Sequence, residues 1–118
     1  MLLLEHDAEY GEGRYRVWAD VLRTGKDIVV FIGGGDNPHI GSISISTKSD
    51  PPFSISIPGH KDYLISHDAS KKIACTISGR CLVVSGIHVD NASGPEIEIL
   101  VNNSAKCVEM LLDNMTCP

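Results

Sequence analysis

Three of the five histidines, His39, His60 and His88, stand at the edge of an element beside a glycine loop or a turn, and that placement is where the chemistry of the chain begins. His39 closes the run Gly33-Gly34-Gly35-Asp36-Asn37-Pro38-His39-Ile40-Gly41. His60 sits in Gly59-His60-Lys61-Asp62, and His88 in Gly86-Ile87-His88-Val89-Asp90-Asn91. An imidazole two residues from a carboxylate on one strand shares a face with it. Asp90 would then fix the tautomer of His88 or raise its basicity. Successive glycines either serve a turn or bring backbone N–H groups together as a nest for an anion. A helix N-terminus at His60 and Lys61 would suit the same anion. Asp36 orients His39, binds a cation or caps its own turn. The glycine run has no Gly-Lys-Ser/Thr sequel and leads into a strand, so it is neither a nucleotide-triphosphate loop nor a dinucleotide fingerprint. There is no nucleophile elbow and no H-E-x-x-H.

The elements that must position these residues are legible from periodicity. Ile28–Ile32 is an unbroken β-branched and aromatic run, which suits a strand buried on both faces. Ser42–Ser46 and Phe53–Ile57 alternate Ser with apolar residues, which reads as two strands with isoleucines on the core and serines either on plain surface or against a partner subunit. Arg14–Leu22 also alternates, with Tyr15, Val17, Ala19 and Val21 on one side and Arg16, Trp18 and Asp20 on the other. Thr24-Gly25-Lys26-Asp27 turns it into the central strand. Residues 1–13 either fray or add an edge strand.

Beyond Pro58 the period changes. Ile65, Ala69, Ile73 and Ile77 recur every four residues, which predicts a helix over 61–78 ended by Gly79. His67 falls away from that stripe, towards solvent. Cys81–Ile87 is a fifth strand. Ser93-Gly94-Pro95-Glu96 has the capping-box pattern, and Ile97 to Met115 keeps the i, i+3, i+4 rhythm of a final helix. The expected fold is α+β: a four-stranded antiparallel meander, a helix, a fifth strand and a C-terminal helix (ββββαβα), with the helices on one sheet face.

Composition bounds the rest. A chain of 118 residues, 42% hydrophobic and 21% charged, is one globular domain. Net charge is −5 with scattered basic residues, which argues against nucleic-acid binding. Met1–Leu4 is too short an apolar run for a signal peptide or membrane span, so a cytoplasmic protein is expected. Cys75, Cys81, Cys107 and Cys117 form no C-x-x-C pair and read as thiols rather than zinc ligands.

GGGDNPHIG, GHKD at Gly59–Asp62, and GIHVDN at Gly86–Asn91 followed by PEIEIL resemble the small D subunit of gallate and related hydroxyaromatic acid decarboxylases. The resemblance spans about residues 15–112. That family is described as a prenylated-flavin chaperone, and its domain is similar in fold to the proteasome assembly chaperones, which act as dimers. The resemblance implies a non-catalytic homodimer that binds or delivers prenylated FMN or FMN, or that stabilises a prenylated-flavin-dependent decarboxylase. The cofactor-binding candidates are then Gly33, Gly34, Gly35, Asp36, His39, Gly41, His60, Lys61, His88, Asp90 and Asn91, with no catalytic or metal-ligating residue. Two alternatives stand beside it: a protein assembly chaperone with no small ligand, and a hydrolase or metalloenzyme using His39, His60, His88 and Asp90. Aromatic residues make up only 5% of the chain, leaving Trp18, Phe31 and Tyr63 as the candidates to stack on a flavin.

Overall fold

The structure, a computed structural model, describes residues 4–58 and 63–116. Six strands form one sheet: β1 (Leu4–Tyr10), β2 (Val17–Thr24), β3 (Asp27–Gly35), β4 (Ser42–Ser46), β5 (Phe53–Ser56) and β6 (Cys81–His88). Two helices, α1 (Tyr63–Ala74) and α2 (Gly94–Thr116), complete the fold, with a short 3-10 turn at Gly13–Tyr15. The mixed α+β class and the helices on one sheet face agree with the sequence reading; the strand order does not.

That order is β1-β2-β3-β6-β4-β5, so β6 inserts between β3 and β4 and breaks the expected meander. β3 and β6 pair in parallel and every other pair is antiparallel. The physical reason lies in their composition. IVVFI and CLVV are the two most continuous apolar runs, and a run apolar on both sides belongs in the middle of a sheet. Asp36–Gly41 carries the chain across the end of β6: His39 N–H donates to Gly86 O, and Gly41 N–H to Ser85 O. That crossing requires Gly86, because a Cβ there would stand 1.4 Å from the His39 carbonyl oxygen.

The N-terminal stretch forms an edge strand, β1, on β2. Tyr15 lies in the 3-10 turn rather than in β2, which begins at Val17. α1 stops at Ala74, short of the expected 78, with Thr76 N–H and its hydroxyl both donating to Ile73 O. The chain then turns at Gly79, where a Cβ would meet Lys26 O at 2.0 Å. Asp27 Oδ1 accepts the Arg80 N–H there, at 2.7 Å. The expected start of the helix at 61 and 62 lies outside the described residues.

The core fills the space between the helices and one sheet face. Val17, Ala19, Val21, Ile28, Val30, Ile32, Cys81 and Val83 meet Ala69 and Ile73 of α1 and Leu100, Cys107, Val108 and Leu111 of α2. β4 and β5 are inverted relative to expectation. Ser42, Ser44 and Ser46 are buried beneath α1, while Ile45, Phe53 and Ile55 are 40–66% exposed on the opposite face. Ser66 and Ser70 of α1 supply the reason. Ser66 shares hydrogen bonds with Ser42 and Ser44 at 2.9 and 2.8 Å, and Ser70 with Ser46 at 3.0 Å. Small side chains let the helix approach closely, and each hydroxyl finds a partner on the other element. His67 is exposed, as expected, and pairs with Ser54 at 2.8 Å.

Candidate functional site

The site forms where β3 and β6 end side by side, with Gly35 opposite His88. Asp36 and Asn37 both donate their N–H groups to His88 O, at 2.7 and 3.2 Å. Gly35 has φ +79°, and a Cβ there would stand 2.1 Å from that same oxygen. Asn91 turns the chain out of β6 at φ +53°, a conformation asparagine tolerates. Side chains then converge. His88 Nε2 and Asp90 Oδ1 are 3.0 Å apart, and the His39 and His88 rings meet edge to face at 5.7 Å. His39 Nδ1 lies 3.0 Å from Asn37 O.

Arg14 ties this end of the sheet together. Its guanidinium donates to Asp36 Oδ2 at 2.8 Å and to Asp90 O at 3.2 Å, and pairs with Glu96 at 3.4 Å. Asp36 Oδ2 also accepts the Asp90 N–H at 3.2 Å. These hydrogen bonds from Arg14 and the Asp90 amide hold the Asp36 carboxyl below its ordinary range. Glu96 closes the capping box with Ser93 in both directions, at 3.1 and 3.3 Å, and accepts from Tyr15 OH at 2.8 Å. Its pKa is lowered by the Ser93 amide first and the Tyr15 hydroxyl second.

Next to the two histidines a cavity of about 500 Å³ opens between α1 and α2. Leu64, Ile65 and Ala69 form one wall; Ile97, Leu100, Val101 and Val108 form the other; Ile87 and Val89 lie at its floor. Asp68 and Lys72, paired at 3.0 Å, stand at the far rim. Three rim residues, Leu64, Ile97 and Val101, are 61, 51 and 49% exposed. The chemistry on offer is therefore apolar enclosure with two imidazoles in its lining, one of them backed by the Asp90 carboxylate.

Of the residues singled out in the sequence, Gly35, Asp36, His39, His88, Asp90 and Asn91 come together here. Gly33, Gly34 and Gly41 do not. The first two are buried within β3, paired with β2 on one side and β6 on the other, and Gly41 donates its N–H to Ser85. Gly33 lies under the Trp18 ring and Gly34 against Arg16 O, so these glycines permit close packing and leave no nest. His60 and Lys61 lie outside the described residues. Among the described residues no three His, Cys, Asp or Glu side chains group as a metal site. Burial pushes the Cys81 and Cys107 thiols up to about 12. Arg14 and Tyr15 escaped the sequence reading because nothing local links position 14 to positions 36, 90 and 96. The capping-box spacing did mark Glu96, but only as a helix start.

Comparison with known proteins agrees with this architecture. Residues 11–116 match the family model of the prenylated flavin chaperone LpdD-like domain. Protein LpdD of Lactiplantibacillus plantarum is 33% identical over an alignment of 88 positions that covers 70% of this chain and 65% of that relative. A crystal structure of a chaperone complex for yeast 20S proteasome assembly superposes with a TM-score of 0.63 at 10% identity, covering 96% of this chain and 98% of that one. At that identity the likeness concerns the fold alone.

Proposed function

The chain belongs to the prenylated flavin chaperone LpdD-like family, and from that premise we propose that it is a non-catalytic homodimeric accessory protein that holds prenylated FMN for a client decarboxylase. The observation that carries the reading is the interhelical cavity lined by His39 and His88, with Asp90 behind it paired to His88. Its size suits a flavin-sized ligand, and its aliphatic walls suit the ring carbons that prenylation adds. A flat ring slides between aliphatic side chains without needing aromatic stacking, which accommodates the scarcity of aromatics in this chain. The imidazoles meet the polar edge of the ring system, and Asp90 holds the His88 ring in place. Among the described residues no helix is long and apolar enough to cross a membrane.

The test is titration with FMN and with prenylated FMN, followed by flavin fluorescence and calorimetry. Prenylated FMN binds more tightly than FMN. Burying two of the added carbons at about 0.8 kcal/mol each gives roughly a tenfold preference or more. His39→Ala and His88→Ala weaken both ligands, and Val101→Trp, which fills the cavity, abolishes the preference. The second reading, a protein assembly chaperone without a small ligand, rests on the exposed rim at Leu64, Ile97 and Val101. Absence of flavin binding, together with loss of client association in Val101→Lys, would replace the first reading with the second.

A further inference from the structure

Among the described residues, the sheet face turned away from α1 and α2 is covered by no helix. Its register is continuous across five strands. One row runs Asp20, Phe31, Val84, Ile43, Ile55; the next runs Leu22, Val29, Leu82, Ile45, Phe53. Trp18 lies over Gly33 at one margin of these rows. Ile45, Phe53 and Ile55 are 40, 66 and 50% exposed. Among the described residues these rows carry a single charge, Asp20, and it is already paired with His6 of β1 at 2.7 Å.

We propose that this face is where a second copy of the chain packs, sheet against sheet. This deepens the homodimer named above by giving it a surface, and it rests on that part of the reading. The occupant follows from the chemistry of the face. Rows whose one charge is already paired offer little with which to select a foreign partner or to repel their own copy; the titratable His6 and Glu9 of β1 lie at the margin of the face. The face also has the apolar character of homodimer interfaces rather than transient ones. Flat β-branched rows pack on like rows about 10 Å apart at an angle near −30°, set by the twist of each sheet. Five strands about 4.8 Å apart and roughly six residues long give a face on the order of 500 Å² in projection, so two faces bury on the order of 1,000 Å², the threshold for a specific interface.

The alternation in β4 and β5 has a purpose in this arrangement. The serines are held inward by α1, and a second copy over the outward isoleucines would remove their apolar surface from water as well. Packed this way, both interhelical cavities point outward and stay open to ligand.

The experiment is mass in solution by light scattering and sedimentation, on the full chain. The expected mass is twice the 12.7 kDa of one chain. Ile45→Lys with Ile55→Lys, both half-exposed in the single chain, weakens association by at least about a hundredfold while circular dichroism is unchanged. Leu64→Lys with Val101→Lys, on the helix face, leaves the dimer intact. Trp18, the only tryptophan, supplies a readout without any substitution: its emission shifts to the red as dilution halves the mass. A monomeric wild type overturns the dimer and its surface together. A dimer that survives the sheet-face pair, or that dissociates with no change in Trp18 emission, overturns the surface and leaves the dimer standing.

Discussion

Arg14 ties its own 3-10 turn to three segments remote in sequence: the exit of β3 at Asp36, the exit of β6 at Asp90 and the first turn of α2 at Glu96. The two carboxyls it faces are held below their ordinary values of 3.8 and 4.5. A carboxyl whose folded pKa lies below its unfolded one stabilises the fold above the unfolded value. That contribution disappears as pH falls through the folded value. The melting temperature therefore declines as pH drops below about 4.5. Asp36→Asn with Glu96→Gln lowers the melting temperature at neutral pH and flattens the profile in that acid window. Thermal melts of both proteins from pH 7 to pH 2 check it. A second residue-scale prediction concerns Gly86. A Cβ at 1.4 Å from a backbone oxygen has no flexible side chain to push aside, so Gly86→Ala displaces the His39 segment and costs about 2–4 kcal/mol in urea unfolding. The sequence marks Gly86 only as part of GIHVDN; the crossing chain that demands it comes from fifty residues earlier.

At the scale of elements, the helix–sheet contact between α1 and β4 is built from hydroxyls rather than methyls. Ser66→Leu places two extra heavy atoms and no hydroxyl against Ser42 and Ser44 and costs about 1–3 kcal/mol by overpacking. Ser66→Ala removes one shared partner from both strand serines and costs about 1 kcal/mol. Urea denaturation separates the two: an ordinary solvent-facing serine would tolerate either change. Lys71 adds to the same contact, donating to the carbonyls of Thr47, Lys48 and Asp50 and so fixing the β4–β5 connection to α1. The period-two alternation of Ser42–Ser46 made the strand legible but not its sense. Hydrophobicity alone sends isoleucine inward. What reverses it is a helix whose own inward face carries Ser66, Ala69 and Ser70, and that pairing is a relation between two segments. Strand order was hidden for a similar reason. Nothing within β3 or β4 states that β6 intervenes; only the competition of two long apolar runs for the sheet centre does. The C-terminal helix, by contrast, was legible from its capping box and stripe, since both are local.

The whole molecule then has two faces that back onto each other. The helix face carries the cavity and its histidines; the sheet face carries the isoleucine rows. The core between them is continuous, yet the two faces share no side chain, so their contributions to stability are expected to add. Anything that binds the folded state alone stabilises it by mass action. Pairing through the sheet makes the unfolding midpoint rise with protein concentration, and Ile45→Lys with Ile55→Lys makes it independent of concentration. Prenylated FMN at a hundred times its dissociation constant adds about 2.7 kcal/mol, and adds it equally to the wild type and to the sheet-face variant. Differential scanning fluorimetry over a grid of protein and ligand concentrations measures both effects at once. A ligand increment that vanished in the sheet-face variant would mean that the cavity is completed by the second copy. The His39–His88 mouth would then belong to the dimer rather than to each chain.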